Sequence, residues 1–354
     1  MPYSLGLIDE KRFNVMRKLL YFIAIVFIFC QCETSKDPIS SEIKPNYIFQ
    51  NRLKEYQYIK NQFFLVDFYY QSIFESSFDP LTMRWLIQDL GKRIIQLDVW
   101  INDLPTGTSS VFGWAVFDPT LVHPDSINYL QSIPGQNVSG FYRRLQHEEY
   151  DYDEFRGYFW LKSPIAEDGI IAIAYKNSSE EKFGMLFQDI PSQNPIVLLK
   201  LIKATNMRPD YPSWPLLMQN VYDMGIDQLY GEKFDVTVIY TRTGKEILVQ
   251  PLGDQRTFNY LMGLDRLNES AKHIVGGDGI TDRFNSLIFD IYNGYILFPS
   301  LRPFDPSFCT QFKFDNSLAV EIYNTKSETE ILNQHKFDIE ITIQDTVSHN
   351  KNQP

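Results

Sequence analysis

Cysteine is scarce in this chain: Cys30, Cys32 and Cys309 are the only three in 354 residues. The first two close an apolar run near the N-terminus, so once that run is removed or modified Cys309 has no partner, and disulfides do not staple the fold. A lone thiol of this kind is more often a small core residue than a nucleophile. Histidine is equally sparse, and His123, His147, His273, His335 and His349 lack the paired spacing of a zinc site. The sequence has no Gly-x-Ser-x-Gly elbow, no phosphate-cradling glycine loop and no paired Cys and His arrangement. A non-enzymatic protein, with no cofactor and no metal, is therefore the expectation. Basic charge is also in deficit, with 33 Lys and Arg against 44 Asp and Glu, for a net charge of −11. Such a surface repels phosphate backbones and anionic lipid headgroups, which argues against nucleic acid as a partner.

What is plentiful is apolar and aromatic. Hydrophobic residues make up 44% of the chain, enough at this length to fill real cores. The 27 Phe and 21 Tyr sit largely in alternating patterns that suit half-buried strands. Near the N-terminus, Arg17 and Lys18 precede an apolar run over residues 19–29. It falls short of the roughly 20 residues that a spanning helix needs and has the size of a signal-peptide core. Residues 1–32 are read as an export signal, with Met16 as an alternative start. Cys32 is the lipidation candidate, although Cys30 and Gln31 before it depart from the small residues that lipid-transferring enzymes favour. Ordinary cleavage and an uncleaved hydrophobic anchor are the alternatives. This signal or its lipid is the one membrane contact predicted. Residues 33–46 are polar, contain two prolines and read as a tether.

The fold is expected to begin near Tyr47. Phe64, Val66, Phe68 and Tyr70 alternate as one strand, and Ile95, Leu97, Val99 and Ile101 as another. Residues 81–90 fit either helix or strand. A turn-rich stretch with three prolines over 118–140 suggests a boundary between a β-rich domain at 47–135 and a second at 136–345, with a polar tail at 346–354. In the second, 169–175 reads as a buried strand and 196–204 as an apolar run. Leu216, Leu217, Val221 and Met224 fall at helical spacing between Pro215 and Gly225, so a helix is predicted near 214–225. Phe234, Val236, Val238 and Tyr240 alternate with polar residues ahead of a Thr-Gly turn, a hairpin signature. Phe337, Ile339, Ile341 and Ile343 alternate in the same way. Transmembrane barrel strands share this pattern, but these segments are few and their polar faces carry Asp and Glu. The expected fold class is mainly β with a minor helical component: soluble β-sandwich-like domains, with one helix packed on a sheet.

Three groups of residues invite chemistry. Asp265, Asn268, Asp278 and Asp282 interleave oxygen ligands with glycine as a calcium loop does, but their spacing misses the alternating ligands and closing Glu of an EF-hand. Turn capping by Asn and Asp is the competing reading. The acidic stretch 147–155 needs a burying pocket to shift its carboxylates, and without one it forms a solvated loop or strand edge. Trp100 and Trp114, if coplanar on an exposed face, would stack on sugars, which is the alternative reading of a surface carbohydrate-binding β-sandwich.

Seven phrases stand in a fixed order: SGFYRRL (139–145), IAIAYKN (171–177), LLKLIKATN (198–206), WPLLMQNVYDMG (214–225), GLDRLN (263–268), GGDGITDRF (276–284) and YILFPSLRPF (295–304). Together they resemble the SprA family, the giant outer-membrane barrel of gliding bacteria through which the type IX secretion system exports proteins. The likeness continues through EIYNTKSETE (321–330) and KFDIEIT (336–342), and departs at Asp305, where the family pattern has Gly. The family's proteins are many times longer, with a long series of membrane strands that this sequence does not contain. The resemblance implies a non-barrel module at the periplasm or cell surface, acting by contact with envelope or secretion-system proteins. Tyr142, Arg143 and Arg144 are the interface candidates, because the arginines offer forked donors beside a tyrosine. A fragment of a longer SprA-like translocon without independent function is a further alternative.

Overall fold

Phe, Tyr, Val and Ile recur at every second position over much of the chain, and a pleated strand is the backbone form that sends such residues to one face. The computed structural model describes residues 47–104, 110–193, 196–229, 233–242, 244–249, 256–305 and 320–344. The strands there are β1 (Tyr47–Lys54), β2 (Phe63–Leu65), β3 (Phe78–Asp79), β4 (Arg84–Trp85), β5 (Ile94–Asp103), β6 (Ser110–Val116), β7 (Asn137–Arg144), β8 (Tyr150–Asp153) and β9 (Tyr158–Leu161). They continue with β10 (Ile171–Asn177), β11 (Lys182–Phe183), β12 (Val197–Lys203), β13 (Val221–Asp223), β14 (Phe234–Arg242), β15 (Lys245–Ile247), β16 (Phe289–Asp290), β17 (Tyr295–Leu297) and β18 (Phe337–Gln344). Helices α1 (Phe68–Ile73), α2 (Phe258–Leu261) and α3 (Glu328–Gln334) accompany them. The protein is mainly β with a minor helical component. Among the described residues no helix is long and apolar enough to cross a membrane. The export signal with Cys30 and Cys32, the tether, Cys309, His349 and the 346–354 tail lie outside the described residues.

Five strands close into a ring. β5 pairs antiparallel with β7 and β10, β6 antiparallel with β7, β12 antiparallel with β10, and β12 parallel with β6. Alternate residues of β10 serve two cores. Ala172 and Ala174 join Trp100, Tyr142, Leu199 and Leu201, while Ile171, Ile173 and Tyr175 join Leu97 of β5 and Phe64 and Phe159 of the neighbouring β2-β9-β8 sheet. Large residues opposite small ones let a narrow ring fill, as where Trp100 pairs with Ala172. Gly113 of β6 is required by the same closeness, since a Cβ there would lie 2.3 Å from the Val197 carbonyl oxygen.

This ring corrects the two-domain expectation. β5 and β6 precede residue 135 and β7, β10 and β12 follow it, so the boundary expected over 118–140 falls inside one sheet, and residues Asn46–Pro354 form one compact unit. Pro119 and Pro124 begin 3-10 turns in the β6–β7 connection. The physical reason is hydrogen bonding: β5 and β6 find partners for their backbone groups only on strands from the other half.

Two local expectations also change. The strand expected over 63–70 stops at Leu65, because the Asp67 carboxylate accepts from the Tyr69 amide at 3.1 Å and caps α1, which makes Phe68 and Tyr70 helical. Residues 81–90 hold neither a long helix nor a long strand, but the return strand of the β3–β4 hairpin and the start of a 3-10 turn at Leu90–Lys92. The helix predicted near 214–225 does not form. Trp214–Leu216 makes one 3-10 turn, then Leu217 bridges to Phe64, the Met218 amide donates to the Phe63 carbonyl at 3.2 Å, and β13 pairs with β17. Asn220 locks that path, its Nδ2 donating to the Phe298 carbonyl at 2.7 Å. Partners in two sheets, Phe64 for Leu217 and β17 for β13, outweigh a helix propensity that differs among ordinary residues by only tenths of a kcal/mol, up to about 0.7.

The alternation of β14 and β18 does hold. Phe234, Val236, Val238, Phe337, Ile339, Ile341 and Ile343 are buried in the core beneath the β1-β18-β14-β15 sheet. The outer face carries an ion network in which Asp338 meets Arg52 at 2.7 Å and Lys54 at 2.6 Å. A helix packs on this sheet, but it is α2. Phe258 and Leu261 enter the core, and Asn259 takes the place of a strand by bonding the Val236 carbonyl at 2.6 Å and the Val238 amide at 2.8 Å.

Candidate functional site

The residues singled out from the sequence are placed mainly to hold the fold. Tyr142 is wholly buried within the strand ring and donates to the Val138 carbonyl at 2.9 Å, so it is no interface residue. Its position on β7 sends the ring inward while Arg143 and Arg144 remain half-buried. Arg143 grips Glu149 with two bonds of 3.0 and 3.1 Å, and that guanidinium holds the Glu149 carboxyl below its usual range. Arg144 reaches Asp98 at 3.3 Å and lies 3.9 Å from the Phe187 ring centroid. Trp100 is wholly buried and Trp114 half-buried, so the two indoles form no exposed sugar-stacking pair.

In the 263–284 region the oxygen ligands are turned onto backbone amides. Asp265 accepts from the Asp278 and Gly279 amides at 2.9 and 3.0 Å, Asn268 from Ser270 and Lys272, Asp278 from Ile280, and Asp282 from Arg266 at 2.7 Å and Leu267 at 3.1 Å. Burial raises the Asp265 carboxyl and pushes Asp282 up to about 6. Among the described residues no three His, Cys, Asp or Glu are grouped as a metal centre. In the acidic stretch, Asp153 caps the Phe155 and Arg156 amides and Glu154 pairs with Arg93 at 2.7 Å.

The site that sequence reasoning missed is a cavity of about 320 Å³ where distant phrases meet. Asn206 ends LLKLIKATN; Trp214, Leu217, Met218 and Gln219 belong to WPLLMQNVYDMG; Thr325, Lys326 and Glu328 belong to EIYNTKSETE. The unexpected extended path of 214–225 puts its side chains here. Met207, Met218 and Ile331 give the wall an apolar part. The Tyr58 hydroxyl accepts from Gln219 at 2.9 Å, and burial raises its pKa. Glu167 accepts from Asn61 at 3.1 Å and Lys326 at 3.2 Å. Burial alone would lift that carboxyl, but those bonds and the Lys326 charge hold it below its ordinary value.

Behind this wall Lys203 is fully buried. Its ammonium donates to the carbonyls of Ala166, Glu167 and Gly169 at 3.2, 2.8 and 2.7 Å, and burial pulls its pKa down to about 8. One cation thereby folds the loop that presents Glu167. In the sequence Lys203 falls at the end of the apolar run 196–204, and only the strand packing reveals its role. The cavity has an apolar part, an aromatic wall and a rim of paired charges, and at that rim the Thr325 hydroxyl donates to the Glu330 carboxylate at 2.5 Å. No family model matches the chain, and no curated protein matches it.

Proposed function

We propose that the chain is an exported, non-enzymatic envelope protein, a SprA-like module that acts by protein contact in type IX secretion, gliding motility or cell-surface assembly. The observation that carries the reading is the convergence of three family-like phrases, the third of them more than ninety residues beyond the other two, on the walls of one mixed apolar and charged cavity. In this reading the cavity receives a segment of an envelope or secretion-system protein. Leu217 and Ile331 offer its side chains apolar contact and the Glu167–Lys326 pair sets polar register at the rim. The chain sits in the periplasm or at the cell surface, associated with the outer membrane through its N-terminal signal or a lipid on Cys32.

The test is a photo-crosslinking amino acid at Asn206, which is exposed at the cavity, with the same probe at exposed Tyr129 as control. Capture from intact envelopes followed by mass spectrometry should return outer-membrane secretion or gliding components from position 206 and not from 129. The same recovery from both positions, or none from either, removes the reading.

A further inference from the structure

We infer that a second cleft, between the β8–β9 hairpin and the β16–β17 hairpin, binds a neutral sugar ring of a polysaccharide. Its cavity measures about 280 Å³, near the small end of ligand clefts at ~300 Å³, and is walled by Tyr152, Tyr158, Trp160, Tyr292 and Tyr295. A sugar ring offers an apolar C–H face and a rim of hydroxyls, and this cleft supplies a surface for each. Phe63 stacks on Trp160 at 6.2 Å and meets Tyr295 edge-on at 5.5 Å, while Tyr158 lies 5.7 Å from Trp160, so the aromatic wall is fixed before any ligand arrives.

The polar partner is Arg156. Its Nε and Nη2 are held by Asp153 at 2.9 and 2.8 Å, and the guanidinium sits 5.0 Å from the ring centroids of both Trp85 and Tyr158. Its Nη1 is buried and makes no hydrogen bond of ordinary geometry, a state that buried donors rarely keep. A sugar hydroxyl oxygen in the cleft becomes its acceptor once the Arg156 side chain, which lines the cleft, swings Nη1 out of its buried position. Charge disfavours an anionic sugar: Asp153 is neutralised by Arg156, and the Asp290 carboxylate leaves the lining net negative. The exposed-tryptophan pair suggested by the sequence was Trp100 and Trp114; the indole placed for stacking is Trp160.

Isothermal titration of the full chain with six-unit oligosaccharides of glucose, mannose, galactose and N-acetylglucosamine tests the inference, with tryptophan fluorescence as a second readout. Saturable binding of at least one is expected, weakened at least tenfold by Trp160→Ala and by Arg156→Lys. Because those two residues also pack the fold, Tyr292→Ala is the deciding variant: the residue is 61% exposed, and its truncation should weaken binding at least fivefold in a chain that still melts cooperatively. No saturable binding in the panel, binding indifferent to Tyr292→Ala, or preference for an oligogalacturonate over the neutral sugars would each overturn it.

Discussion

Asp282 shows how a residue that looks like a ligand becomes a structural acceptor with a pH signature. Its ordinary pKa is 3.8 and burial moves it to about 6, so the native state binds more protons than the unfolded chain between about pH 4 and 6. The stability it contributes is full below about pH 4 and is lost as pH rises through 6. Asp282→Asn keeps an oxygen for the Arg266 and Leu267 amides, which one carboxylate oxygen already serves at 2.7 and 3.1 Å. The variant should therefore gain melting temperature relative to the native chain between pH 4 and 7 in a thermal scan. A difference that stays constant over that range contradicts the assignment. Tyr142 and Trp100 teach the same lesson from the other side. Each is a large side chain with a polar tip, fit for a surface or a core, and nothing local in SGFYRRL or around residue 100 reveals that a ring of strands closes over both.

Elements were legible where one periodicity had no competitor. β14 and β18 alternate cleanly and their partners lie beside them. The 214–225 segment carried helical spacing and helix-terminal residues, but strand partners in two sheets overrode them, as the Asp67 cap overrode alternation over 63–70. Gly157, in the β8–β9 turn, joins elements that are distant in sequence. Its φ is +66°, and a Cβ there would lie 2.1 Å from the ring of Tyr70, which is buried in α1 with its hydroxyl on the Lys92 carbonyl. Gly157→Ala combines positive-φ strain with overpacking and should cost about 2–4 kcal/mol in urea unfolding. A loss under about 0.5 kcal/mol, the level of an ordinary surface change, would mean that this turn is free to move.

At the scale of the whole molecule, the ring ties both halves of the chain together, and β1 pairs with β18 from the far end. A fragment of residues 47–135 holds β5 and β6 without β7, β10 or β12, so its backbone donors have no partners. It should give a circular dichroism spectrum and amide proton dispersion of an unfolded chain, whereas the full chain should melt in a single transition. A folded fragment would restore the two-domain organisation that the turn-rich 118–140 stretch suggested. The cavity lined by Asn206, Met218 and Lys326 exists for the same reason: segments over a hundred residues apart are neighbours only after the sheets have assembled.

The sequence by itself determined the mainly β class, the hairpin at β14–β15 and the strand at β18, because alternation and turn chemistry act over a few residues. It also marked the phrases that line the cavity, though not that they meet. Tertiary structure alone decided the closing of the ring, the burial of Tyr142 and Trp100, the extended path of 214–225 and the role of Lys203. Each of these depends on which backbone groups and volumes come from elsewhere in the chain, and that information is carried by long-range pairing and packing, not by any local period.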